Sequence, residues 1–210
     1  MEIKDYVNFE EKFNKLIEEH KSDRDYYLIK DCPKIFSTVL AIASDRTSDG
    51  IVKMSMNSAI SYFVMISDVL PEEKMGVKGY IDDFFICVCA LRELLEYDRK
   101  LGEYLIKKHW TLEENYEDYL VNKYYSLIQK LEQKTIAEIM AFSGLGFVKE
   151  MIQLKTNPSK YSEQKIRDLQ RKLYYLFYVF FNKPLTGKDE KRKFEEQIFG
   201  TDEFLEPIRS

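Results

Sequence analysis

The chain has 210 residues, 45% of them hydrophobic and 32% charged, a balance that can bury a sizeable core and excludes an intrinsically disordered polymer. Its net charge is −4, with residues 1–148 acidic and 149–210 mildly basic, which argues against a general nucleic-acid binder, whose footprint is a basic face. Three cysteines, Cys32, Cys87 and Cys89, and two distant histidines, His20 and His109, offer neither a disulfide framework nor zinc-ligand spacing and fit a reducing, cytoplasmic setting.

Eight glycines and five prolines leave little turn chemistry for this length, and the abundance of Lys, Glu, Leu and Ile favours long helices. The expected fold class is all-α, a bundle of about seven to nine helices around a central apolar hairpin. The 15 tyrosines and 14 phenylalanines read as packed core with polar tips at its edge. A first helix is predicted from Asn8 as N-cap, with Phe9, Phe13, Leu16 and Ile17 on one face. Pro33 opens a second, which carries Ile35, Phe36, Val39, Leu40 and Ile42 inward, and "SDRTSDG" breaks the chain after it.

From Lys53 to Leu70 the sequence is apolar nearly all round, and a helix of that kind has to be enclosed by other helices or by lipid. The segment "IDDFFICVCALRELLEYDRKLGEYLIKK" has the same character before turning amphipathic. Together the two form the predicted hairpin, at 51–100. Thr111 and Glu114 then suggest a capping box for one long helix through Phe142, with Tyr116, Leu120, Tyr124, Leu127, Ile128 and Leu131 as its apolar stripe and "SGLG" as its stop. Shorter helices are predicted near 147–155, 162–181 and 188–199. The domain reading is 1–148 as a helical domain holding the hairpin and 149–210 as a helical extension packed on the same body. Lys165, Arg167, Arg171 and Lys172 beside Tyr174, Tyr175 and Tyr178 read as the solvated face of an amphipathic helix before a phosphate-tracking one. No stretch reaches the roughly 18 apolar residues of a spanning helix, and "MEIKDYVNFEEKF" lacks the pattern of a secretion signal.

The chemistry-bearing stretch is "SYFVMISDVLPEEKMGVKGYIDDFFI", residues 61–86. Its loop gathers Asp68, Glu72, Asp82 and Asp83 between two apolar runs. Closure of the hairpin could bring these oxygen donors together as ligands for Mg²⁺, Mn²⁺ or Ca²⁺. The same acids could instead cap helix ends and oppose the macrodipole, or present a charged surface to a basic partner. G-x-S-x-G, P-loop, H-E-x-x-H and Rossmann patterns are all missing, so enzyme status hangs on this acidic cluster.

Tyr62, Asp68, Pro71 with Glu72, Gly79, Tyr80, Asp82 and Asp83 together resemble the signature of the YkvA-like family of helical domains, over residues 58–94. Two departures are Ile66, where that family often has Pro, and Glu72, where it usually has Asp. The resemblance implies a helical hairpin with an acidic loop and no assigned activity; some relatives are membrane-associated. The sequence therefore points first to a non-enzymatic interaction or accessory protein that requires no cofactor and binds a protein partner. A divalent-metal-dependent phosphohydrolase or nuclease ranks second, and a peripheral membrane protein third. Nucleic acid is disfavoured, and no pattern fixes an oligomeric state.

Overall fold

Because turn-forming residues are scarce, the chain passes from helix to helix, and among the described residues it forms nine α-helices and no strand. The structure, a computed structural model, describes residues 11, 13–64, 69–70 and 75–181, together with 189 and 193. Helical turns over 13–19 precede α1 (Tyr26–Ile29), α2 (Cys32–Ser44), α3 (Gly50–Phe63), α4 (Gly79–Tyr97), α5 (Arg99–His109), α6 (Tyr116–Ile128), α7 (Gln133–Phe142), α8 (Leu145–Thr156) and α9 (Glu163–Phe181). Short 3₁₀ turns lie at Gly76–Lys78 and Pro158–Lys160. The expected all-α class is what the chain adopts. Asn8 and Phe9, as well as the helix expected at 188–199 apart from residues 189 and 193, lie outside the described residues.

The chain divides into two compact units, one made of 1–48 with 52–146 and the other of 49–51 with 147–210. In the first unit α4 is the hub, packing against α1, α2, α5, α6 and α7. Every residue from Ile81 through Leu91 is buried, as a helix apolar on all sides requires. The face of α2 turned inward is the one its spacing specifies: Ile35, Phe36, Val39 and Ile42 are buried, with Leu40 at the margin. Phe36 stacks on Phe63 at 3.9 Å between centroids, and Phe13 meets Phe63 edge-on at 4.9 Å. The end of α3 is thereby tied to α2 and to the helical turns at 13–19.

Three expected boundaries are corrected. The predicted continuous helix after Ile81 breaks at Asp98, whose backbone is extended and whose side chain accepts a hydrogen bond from the Leu101 amide at 2.9 Å. Asp98 thus ends α4 and caps α5. Gly102 makes the corner close: a Cβ there would lie 3.1 Å from the Leu94 carbonyl oxygen and 3.2 Å from the Leu95 Cα.

Thr111 and Glu114 form no capping box, because α6 begins after Asn115, whose side chain accepts from the Glu117 and Asp118 amides. The Trp110 indole N–H donates to the Glu114 carbonyl at 2.8 Å and so takes up an oxygen that a longer helix would have used itself. The long helix through Phe142 is also two helices, α6 and α7. Its apolar stripe reaches Leu131, but the next helical steps fall on Lys134 and Thr135. The pattern resumes one step late at Ile136 and Ile139, so the chain must break to bring Ile139 inward.

In the second unit, α8 is joined to α9 by Lys165 donating to Glu150 at 2.9 Å and to the connection before α9 by Tyr161 donating to Gln153 at 3.1 Å. Leu169 on α9 is buried. Among the described residues no helix is long and apolar enough to cross a membrane.

Candidate functional site

The site begins where α3 ends. The Tyr62 side chain is fully buried, and its hydroxyl donates to Asp82 Oδ2 at 2.6 Å. The same carboxylate oxygen accepts from the Leu70 amide at 3.1 Å, while the Tyr62 oxygen accepts from the Val69 amide at 3.3 Å. Two consecutive amides beyond α3 are therefore held by one tyrosine and one aspartate. Asp82 sits in the first turn of α4, so this latch joins the end of α3, residues 69–70 and the start of α4. A phenol bonded to a carboxylate is a charge-assisted hydrogen bond, stronger than a neutral pair.

Asp82 and Asp83 are both at 0% exposure. The sequence offered them as helix-start acids or docking charges; Asp82 does fall in the first turn of α4, whereas burial rules out a docking charge on either. Lys78 is the N-cap position of α4 and makes no side-chain capping bond. Asp82 bonds across the hairpin, and neither acid presents charge to a partner surface. Burial follows from register: both acids fall within the stretch of α4 that is enclosed on every side. Asp68 and Glu72, the other two members of the proposed metal set, lie outside the described residues. Among the described residues no group of three His, Cys, Asp or Glu side chains is placed to hold a metal ion.

Around this latch lie the thiols. Cys32 and Cys87 are free and buried. Burial first, then neighbouring negative charge including that of Asp83, pushes both thiols well above their ordinary pKa. Such groups hold their protons at neutral pH and are poor nucleophiles.

Two polar hubs escape a reading of spacing alone. On α6, Lys123 donates to the Leu28 carbonyl at 3.4 Å, stands 3.8 Å from Asp31, and lies 5.3 Å from the centroids of both Phe84 and Tyr119. Burial lowers its pKa, against the opposing charge of Asp31. Tyr119 donates to Asp31 at 3.1 Å, and burial pushes its phenol strongly up. The cluster closes the end of α1, whose carbonyl at Leu28 needs a donor.

The second hub is Asp45, between α2 and α3. It receives Lys108 Nζ and Thr47 Oγ1, each at 2.7 Å, and the Thr47 amide at 2.9 Å; His109 Nε2 lies 2.7 Å away. The Lys108 hydrogen bond, followed by the Thr47 amide, holds the Asp45 carboxyl far below its ordinary range. His109 is thus bound up with an aspartate whose other donors are all structural. His20 stands against the Tyr80 ring at 5.7 Å.

The basic residues of α9 are engaged as well. Lys165 and Lys172 face Glu150, Arg167 faces Glu163, and Arg171 faces Asp168. A clue to the hubs was present in the sequence: Lys123 is a lone cation within the apolar stripe of α6, as Arg92 is within that of α4. A single charge at a core-facing position calls for a specific partner. Set against family models, curated proteins and solved structures, the chain finds no match.

Proposed function

We propose that the chain is a non-enzymatic interaction protein that docks a partner on the outer side of α1 and α6. The observation that supports this reading is a group of large apolar side chains left in solvent there. Val121 and Tyr125, one turn apart on α6, are 45% and 55% exposed, and Tyr27 on α1, which packs against α6, is 55% exposed. Scattered apolar residues are ordinary on a surface, whereas neighbouring ones on packed helices mark an interaction face. The acids and thiols that a catalytic reading would need are meanwhile employed in holding helices together: Asp82 in the latch, Asp45 in its ion pairs, and Cys32 and Cys87 in the core.

The test is a photo-crosslinking residue introduced at Tyr125 in cells, with the exposed Lys100 as control position. One defined adduct at position 125, absent at position 100 and lost with Val121→Asp, is the expected result. Equal labelling at both positions, or none at 125, would overturn the reading.

A further inference from the structure

Arg92 differs from three lysines of its unit. Lys108, Lys123 and Lys130 each reach a carboxylate, whereas Arg92 enters no ion pair and no hydrogen bond among the described residues, and its Nη1 is buried without an acceptor. Its guanidinium carbon lies 3.9 Å from the centroid of the Tyr124 ring. Phe85, two turns earlier on the same face of α4, stacks on that ring at 5.8 Å, and the exposed Tyr125 meets it edge-on at 5.7 Å. Tyr124 therefore holds the guanidinium plane in place beside the apolar side chains of α6 while the N–H groups remain unspent. A guanidinium fixed over an aromatic ring has lost little further entropy to lose, and its planar fork matches a carboxylate. Arg92 is half-buried, so its remaining N–H groups are partly desolvated, and a carboxylate arriving at them gains more than at an exposed lysine.

We infer that Arg92 is the anion anchor of the α6 docking face, and that the partner segment carries an Asp or Glu flanked by apolar side chains. The carboxylate takes the Arg92 fork, and its apolar neighbours cover Val121 and Tyr125. This rests on the interaction reading above and adds the partner's chemistry to it.

The experiment probes the full chain with an array of short peptides in which Glu is flanked by Leu, Phe and Trp, alongside matched Gln and phosphoserine versions. Fluorescence anisotropy on the peptides captured then compares the natural chain with Arg92→Gln, Arg92→Lys and Tyr125→Ala. Thermal melts are recorded for each variant. The expected result is capture of the Glu set, weakened by about tenfold or more in the Gln set and in both Arg92 variants, the loss expected for a hydrogen bond to a charged group. The Lys variant separates the fork from simple charge and keeps the test valid where the Gln variant melts early. Equal binding of Glu and Gln peptides, preference for phosphoserine, or no capture at all overturns the Arg92 assignment. Gln-peptide binding that is lost in Tyr125→Ala leaves the docking face standing without its anion anchor, whereas failed crosslinking at Tyr125 removes the face itself.

Discussion

The Tyr62 hydroxyl lies 2.6 Å from Asp82 Oδ2, across a sequence separation of 20 residues and inside the core. Removing the phenol deprives a buried carboxylate of a donor, and Tyr62→Phe is expected to cost about 1–3 kcal/mol in urea unfolding. The loss should be local as well as global. Hydrogen exchange at the Leu70 amide should quicken in Tyr62→Phe and in Asp82→Ala, and the two substitutions should be non-additive in a double-mutant cycle. Independent effects, with Leu70 exchange unchanged, would refute the latch.

Asp45 sets the acid side of the stability profile. Its folded-state pKa lies below the unfolded value of about 4, so the stability it supplies is complete above that value and is lost as pH falls toward the folded one. Asp45→Asn should therefore lower stability at pH 7 by about 2 kcal/mol, from the weakened hydrogen bonds to charged groups. It should also flatten the decline below about pH 4. Denaturant melts of both proteins across pH 2.5–7 would show this, and parallel curves would contradict it.

Lys123 has the opposite charge and a depressed pKa, so its burial opposes folding at every pH where the unfolded lysine is charged. That penalty is relieved as pH rises from the folded value toward the unfolded one, about 10.4. Lys123→Met retains the stem that packs near Phe84 and Tyr119 and discards the charge. The expected outcome is a small change at pH 7, under about 1 kcal/mol, with loss of the alkaline rise. A loss of several kcal/mol at pH 7 would mean that the bonds to Leu28 and Asp31 outweigh the desolvation.

Two glycines separate packing from backbone strain. Gly102→Ala places a methyl against the Leu94 and Leu95 backbone and should destabilise by about 1–3 kcal/mol despite alanine's better helix propensity. Gly76 has φ 57° and nothing within 4 Å of a built Cβ, so Gly76→Ala should cost only the left-handed strain, about 1–2 kcal/mol. Gly76→Asn should recover part of that loss, and Gly102→Asn should recover none. Thermal melts of the four variants would decide.

The interaction reading also predicts indifference to divalent ions. Chelator-treated protein should melt at the same temperature with Mg²⁺, Mn²⁺ or Ca²⁺ added, since a ligand bound only by the folded state must raise it. A rise abolished by Asp82→Asn with Asp83→Asn would instead favour the metal-dependent alternative.

Periodicity and composition determined the all-α class, the inward face of α2 and the enclosed character of α4, because helix phase and apolar spacing are local properties of neighbouring residues. The fold alone decided which charges became structural. Asp82 reads as a helix-start acid until Tyr62 and Leu70 are brought to it, and Asp45 reads as a turn residue until Lys108, 63 positions away, arrives at 2.7 Å. The breaks at Asp98 and after Ile128 carried no glycine or proline to announce them. The second exists because a straight helix would have carried the next apolar face, Ile136 and Ile139, away from the core. Arg92 is the same lesson in reverse: spacing puts it on α4, and only the fold brings the ring of Tyr124 to its guanidinium and leaves Nη1 buried without an acceptor. Burial and partner choice are set by segments far apart in sequence, which no local pattern encodes.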